Sequence, residues 1–223
     1  MPKEPSFTHK QDELIQYLLD KSNHSSKVIP PINRISQDLG ISTSSLREQI
    51  ELLKLIGAIS AKPRKGLQLL EYQFAPAVTK SLYYAVKLDP GNFSSFSEIR
   101  NHLEKAFFIE AAGLLDVDEL RQLWESVQSA NQKLDGDPPR IPHAEHRKFH
   151  LLIYKPLNNI FLNGILEAYW DTYEKVGLHE YADLDYLKKV WKFHEQIIEQ
   201  VNDRNIDLAF EILIKHMEMM YIR

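Results

Sequence analysis

Two short β-like runs, Ile59–Ala61 and Leu67–Leu70, carry all the strand-like alternation in this sequence. Between them lies Lys62-Pro63-Arg64-Lys65-Gly66, where Pro and Gly favour a hairpin turn and place three cations at its tip. Beyond Phe74 the apolar residues recur with helical spacing alone. A chain patterned this way cannot build a sheet core. It divides into a small mixed head and a helical body.

Ahead of the hairpin, residues 10–22 put Leu14, Ile15, Leu18 and Leu19 on one helical face. Residues 32–39 read as a short helix carrying Ile32, Ile35 and Leu39 and stopped by Gly40. Ser42 or Thr43 can cap a third helix running to about Leu55, with Leu46, Ile50 and Leu53 facing inward and Gly57 ending it. Helix, helix, turn, helix, hairpin is the order of a winged helix-turn-helix. The body reads as helices over roughly 75–88, 94–114, 117–134, 140–155, 158–177, 184–202 and 205–222. Breaks fall at Asp89-Pro90-Gly91, Asp135-Gly136-Asp137-Pro138-Pro139, Lys155-Pro156 and Asn202-Asp203-Arg204-Asn205. The expected fold is therefore mainly α. Residues 1–73 form a winged helix-turn-helix with a small β-hairpin wing, and residues 74–223 an all-α antiparallel bundle of about seven helices.

Charge follows the same division. The whole chain has 27 Lys+Arg against 31 Asp+Glu, a net −4 that by itself argues against nucleic acid. Between Lys27 and Leu70, however, seven cations face only Asp38, Glu48 and Glu51, a local +4. Residues 1–76 carry +2, and the remainder carries −6. A basic head on an acidic body raises the expectation of a nucleic-acid partner for the head alone. No apolar stretch approaches the ~18–20 residues needed to span a bilayer, and the N-terminus has no apolar signal core. The expected location is cytoplasmic, with no membrane partner.

The absence of cysteine excludes disulfides, thiolate zinc sites and thiol catalysis, and leaves histidine as the soft-metal ligand. Of nine histidines, His146 and His150 stand at i, i+4 and share one helix face, a spacing that lets two imidazoles chelate one ion. Further ligands must come from other helices. His194 and His216 have apolar neighbours and can point inward. His143 begins its helix just after Pro142 and is the weaker candidate; His102 and His179 read as packing or exposed residues. Trp170, Trp191, Phe107 and Phe108 read as core.

The run from Ile29 through Arg34-Ile35-Ser36-Gln37-Asp38-Leu39-Gly40-Ile41-Ser42-Thr43-Ser44-Ser45-Leu46-Arg47 to Ile59, continued by the wing at Pro63-Arg64-Lys65-Gly66, resembles the winged helix of the GntR family of bacterial transcription regulators. The resemblance implies that the helix after Gly40 enters the major groove of an inverted-repeat operator and that the protein acts as a homodimer on double-stranded DNA. By position, the DNA-contacting residues are Asn33, Arg34, Thr43, Ser44, Ser45, Arg47, Arg64, Lys65 and Gly66. The family usually has Arg where this chain has Asn33 and Thr43, which weakens the phosphate term and alters the operator read. The wing carries Arg64 where Gly is common.

The body is similar to the FCD domain of the FadR subfamily. Arg100-x-x-x-Glu104 with Ala111-Ala112, Phe149-His150 with Asn159, and His194-x-x-Ile197-Ile198 with His216 match its helices. Many FCD domains bind a divalent metal through one Asp and three His. The His positions match His150, His194 and His216, while the Asp position is occupied by His146. Four neutral imidazoles leave the site at +2, favouring zinc, nickel or copper over manganese and magnesium, with zinc or nickel the first expectation. The resemblance makes the function ligand-controlled regulation, with Arg100 pairing a small carboxylate effector and Asn159 adding a hydrogen bond. Two other readings stand beside it: a metal-sensing repressor in which the ion is the effector, and a His-ligated metalloenzyme. Against the enzyme, no histidine lies in His-Glu-x-x-His or Glu-x-x-His, and only Glu104 is a distant candidate for a general base.

Overall fold

The computed structural model describes residues 9–22, 28–62, 66–176 and 183–221. Contacts divide the chain into two compact units, Met1–Ala77 and Val78–Arg223.

The first unit contains α1 (His9–Ser22), α2 (Ile32–Leu39), α3 (Thr43–Leu55), β1 (Ile59–Lys62) and β2 (Gly66–Leu69). Its core is one aliphatic cluster made of Leu14, Leu18, Ile29, Ile35, Ile41, Leu46, Ile50, Leu53 and Ile59. Leu14, Leu18, Ile35, Leu46, Ile50 and Leu53 are residues the helical spacing turns inward, whereas Leu19, expected on the same face of α1, is exposed. Gly40 ends α2 at φ 64°, a left-handed conformation that a side chain makes costly, and so permits the tight turn into α3. Ser42 then caps α3, its Oγ accepting from Ser45 N at 3.3 Å. The two strands pair antiparallel from Ile59↔Leu69 to Lys62↔Gly66, and Val28 adds a bridge to Gln68. The second strand of the hairpin thus starts at Gly66 rather than Leu67. Its tip, with Arg64 and Lys65, lies outside the described residues.

The helical body comprises α4 (Ala75–Leu88), α5 (Gly91–Leu114), α6 (Val117–Leu134), α7 (His143–Tyr154), α8 (Ile160–Lys175), α9 (Leu184–Asn202) and α10 (Ile206–Tyr221), with a 3-10 turn at Lys155–Leu157. The chain is mainly α, with ten α-helices and a two-stranded sheet among the described residues. α7 packs against α5, α6 and α8, while α9 packs against α6 and α10, and α10 also meets α5. Each helix has a local cause. α6 starts in a capping box, Asp116 Oδ1 accepting from Glu119 N at 2.7 Å and Glu119 Oε2 from Asp116 N at 3.2 Å. It buries Leu120, Leu123, Val127, Ala130 and Leu134 on one stripe. α9 buries Leu187, Val190, Trp191, His194, Ile197, Ile198 and Val201, so His194 occupies a position where the period calls for an apolar residue.

Three helix starts differ from expectation by two residues or more, α5 beginning at Gly91 rather than 94. α7 begins at His143 rather than near residue 140, because Pro142 keeps Ile141 out of helical geometry. α8 begins at Ile160 rather than 158, because Asn158 adopts φ 50° and Asn159 caps the helix. No helix among the described residues is long and apolar enough to cross a membrane.

Candidate functional site

The core of the helical unit is interrupted by imidazoles. His146 and His150 come from α7, His194 from α9 and His216 from α10, and one ring nitrogen of each lies within 4.8 Å of the others. His150, His194 and His216 are fully buried. The rings of His146 and His194 lie 4.8 Å apart and those of His194 and His216 4.6 Å. Trp170 and Trp191, each 1% exposed, wall the group, with ring centroids 4.7 Å from His146 and 4.8 Å from His194 respectively. Phe149 closes another side 4.3 Å from His194.

Burial pushes all four imidazoles below their ordinary range, and neighbouring positive charge, Arg100 included, pushes the same way, with Glu104 opposing it at His216. His216 is pushed down to about 3. The rings are therefore neutral, the form in which imidazole presents a lone pair. Their hydrogen bonding is incomplete. His146 Nε2, His194 Nδ1 and both nitrogens of His216 are buried without a partner. Leaving a buried polar atom unsatisfied costs about 1–3 kcal/mol, and four in one cluster make a destabilising core unless something else binds there.

The residues fit a divalent cation. A tetrahedral ion with nitrogen ligands at 2.0–2.1 Å requires nitrogens about 3.3–3.4 Å apart. His150 Nε2 and His194 Nε2 are 3.3 Å apart. The widest spread, 4.8 Å, requires the other rings to close by a fraction of an ångström to about 1.5 Å. The donor set is wholly imidazole, which suits zinc, nickel and copper.

Beside the cluster, α5 contributes Arg100 and Glu104, 1% and 0% exposed. Arg100 Nε donates to Glu104 Oε1 at 2.8 Å, and its Nη1 lies 3.3 Å from Asn101 Oδ1. Its Nη2 is 2.8 Å from His150 Nδ1, which is also 3.1 Å from Glu104 Oε2. Tyr154 Oη donates to the Glu104 carbonyl at 2.9 Å. The guanidinium also lies over the rings of Tyr169 at 4.9 Å and Trp170 at 5.4 Å. Burial works against the charge on Arg100, but Glu104 outweighs it and holds the guanidinium protonated.

The structure thus brings Arg100 together with His146, His150, His194 and His216. Asn159 Oδ1 accepts from Phe161 N and Leu162 N, both at 3.1 Å, and so starts α8. His143 stands apart, stacked 5.3 Å from Tyr173 with Nε2 4.0 Å from Glu174 Oε2. His102 is exposed and bonded to the Glu98 carbonyl at 2.7 Å. His179 lies outside the described residues. Sequence reasoning weighed Glu104 only as a motif match and a distant base. Its position four residues after Arg100, on a face that the helix turns inward, was the available signal.

In the first unit, Ser44 and Arg47 are exposed on α3, and Thr43 and Ser45 are half-buried. Ser45 Oγ accepts from Gln49 Nε2 at 3.4 Å. Asn33 is exposed on α2. Arg34 is exposed but engaged one turn along, Nε to Asp38 Oδ1 at 3.0 Å, and Tyr17 Oη holds the same carboxylate at 2.8 Å. Gly66 adopts φ 72° with open space around it, so its backbone geometry, not crowding, calls for glycine.

Residues 96–219 match the FCD domain family. The Uxu operon transcriptional regulator of Escherichia coli K12 is 22% identical over 195 residues, covering 85% of this chain and 75% of that protein. Among solved structures, Streptococcus agalactiae GntR has a TM-score of 0.70 at 18% identity, covering 95% of this chain and 96% of the other. E. coli McbR/YncC gives 0.53 at 19% identity over 96% of both chains; at these identities the likeness speaks for the fold. The chain belongs to the GntR-type transcription regulators that carry an FCD effector-binding domain. GntR-type regulators bind DNA and effector ligands.

Proposed function

We propose that this regulator belongs to the FadR subfamily and binds an inverted-repeat operator as a homodimer, with its affinity set by a small carboxylate at a metal-containing pocket in the helical unit. His146, His150, His194 and His216 would hold the ion, zinc or nickel, and Arg100 would pair the carboxylate. The observation that carries this reading is four imidazoles on three helices, three of them fully buried, converging within 4.8 Å, with His146 Nε2, His194 Nδ1 and both nitrogens of His216 lacking a partner. When bound, the ion supplies a positive charge of two, uncompensated by any ligand carboxylate, to attract an anion. Asn159 is left out, because its oxygen is committed to the helix cap. On the DNA side, Thr43, Ser44, Ser45 and Arg47 would face the bases, with Asn33, Arg34, Arg64, Lys65 and Gly66 at the phosphates and minor groove. A single winged helix makes too few contacts for useful specificity, which is the reason for the dimer.

Metal analysis of the purified protein, with His150→Ala alongside, tests the site. The wild type should hold about one divalent ion per chain by the donor count above. The variant should hold none yet still bind DNA; stoichiometric metal in it would remove His150 from the ligand set. A mobility-shift assay with DNA upstream of its own operon tests the other half, and absence of salt-sensitive binding would sink it.

A second reading has its own support. Four protein ligands saturate a tetrahedral ion and leave no open position, which is the mark of a closed site. That favours the ion itself as effector. Titrating metal against operator affinity with and without succinate separates the two, since only an ion accepting five or six ligands leaves room for the carboxylate.

A further inference from the structure

Arg100 and Glu104 make incompatible demands on one atom. His150 Nδ1 lies 2.8 Å from Arg100 Nη2 and 3.1 Å from Glu104 Oε2. A guanidinium nitrogen only donates and a carboxylate oxygen only accepts. Nδ1 therefore serves one neighbour at a time: as a lone pair it accepts from Arg100, and as N–H it donates to Glu104. The far side of the ring takes the complementary form. With Nδ1 accepting, Nε2 carries the hydrogen and donates across 3.3 Å to His194 Nε2. With Nδ1 donating, Nε2 offers its lone pair to the centre of the cluster. The ring is neutral in both forms.

We propose that Glu104 is the positioning residue that fixes His150 in the Nδ1–H form needed to bind a cation, and that this same choice releases Arg100 Nη2 to an anionic ligand. The inference rests on the metal reading above. Without a cation the shorter contact, from Arg100, is the one made. With a cation, His150 must present Nε2, so Nδ1 turns its hydrogen to Glu104. Arg100 stays anchored by Nε on Glu104 Oε1 and Nη1 near Asn101, while its Nη2 loses its acceptor within the chain. An outer carboxylate that orients a ligating imidazole is a common support in metal sites. Here the support shares its histidine with the residue proposed to hold the effector. Metal and carboxylate must then strengthen each other's binding, by the same factor in either order.

Nitrogen-15 spectra of histidine-labelled protein, zinc-free and with one equivalent of zinc, read the tautomer directly, with His150→Asn assigning the signals. The expected change is His150 Nδ1 passing from the unprotonated to the N–H form. Succinate, as the carboxylate probe, should bind the zinc-loaded protein about tenfold more tightly than the zinc-free one. Glu104→Gln should lower zinc affinity by about 10–100-fold, measured by competition with a chromophoric chelator. Stoichiometric zinc with an unchanged His150 tautomer overturns the relay and leaves the metal site standing. Failure of the wild type to bind zinc overturns the metal reading and the relay with it. Wild-type zinc affinity in Glu104→Gln removes Glu104 from the positioning role. If that variant does not fold, the wild-type spectra still decide.

Discussion

Every residue proposed as a ligand is also part of the core, so chemistry and stability are tied at single positions. Glu104 is the clearest case. It is wholly buried, and it is the counter-charge that keeps the guanidinium of Arg100 tolerable inside the bundle. Removing one partner of a buried pair leaves a bare charge, at a cost of about 3–5 kcal/mol. Glu104→Ala should therefore lower the unfolding free energy by about that amount in urea titrations, whereas Glu104→Gln, which keeps an acceptor, should lose less. His146 gives a second test. By the resemblance to FCD domains it takes the position of an Asp, and His146→Asp would reduce the charge of a loaded site from +2 to +1 and add an oxygen ligand. Manganese affinity should rise by at least about tenfold relative to zinc, checked by competitive metal titration. The histidine cluster was legible at this scale because the i, i+4 pair on α7 and the motif positions on α9 and α10 are local patterns. The role of Glu104 was not, because its partner His150 lies 46 residues away and only packing of α5 on α7 joins them.

At the scale of elements, hydrophobic spacing marked every helix and both strands, while the ends were set by finer chemistry. Pro142 delays α7, and the left-handed Asn158 followed by the Asn159 cap delays α8. The same cap engages the Asn159 side-chain oxygen with the backbone, a local role that spacing cannot reveal. Capping also yields a stability prediction. Asp116 and Glu119 satisfy each other's backbone N–H groups at the start of α6, and Asp116→Ala should cost about 1 kcal/mol by chemical denaturation. For the head, α2 presents an exposed Asn33 at a position where the resemblance implies Arg, and Arg34 beside it is drawn to Asp38. Asn33→Arg should add one phosphate contact per head. On a dimer, the slope of log affinity against log salt should steepen by about 1.8, twice the single-contact value, and an unchanged slope would place Asn33 away from the backbone.

For the whole molecule, the partition of charge and of aromatic residues decides how a ligand in one unit is read. Under the proposed reading, the −6 of the body would disfavour its lying on DNA and leave contact to the basic head, so an effector would act through what the body does to the head, with a coupling typically about 1–3 kcal/mol. The ligands belong to Val78–Arg223, and so do all three tryptophans, Trp124, Trp170 and Trp191. Tryptophan fluorescence therefore follows unfolding of the helical unit alone, while circular dichroism follows both. An ion that binds only the folded helical unit stabilises it by about 2.7 kcal/mol at a hundred times its dissociation constant. For a unit of this size that corresponds to about 5–10 °C in melting temperature. Stripping the metal with a chelator should lower the fluorescence transition by that amount, and restoring zinc should return it. With no cysteine in the chain, thiolate binding to the unfolded state cannot offset the shift. A fluorescence transition indifferent to chelation and to added zinc would mean that the four imidazoles are packing residues and that the effector is recognised without a metal.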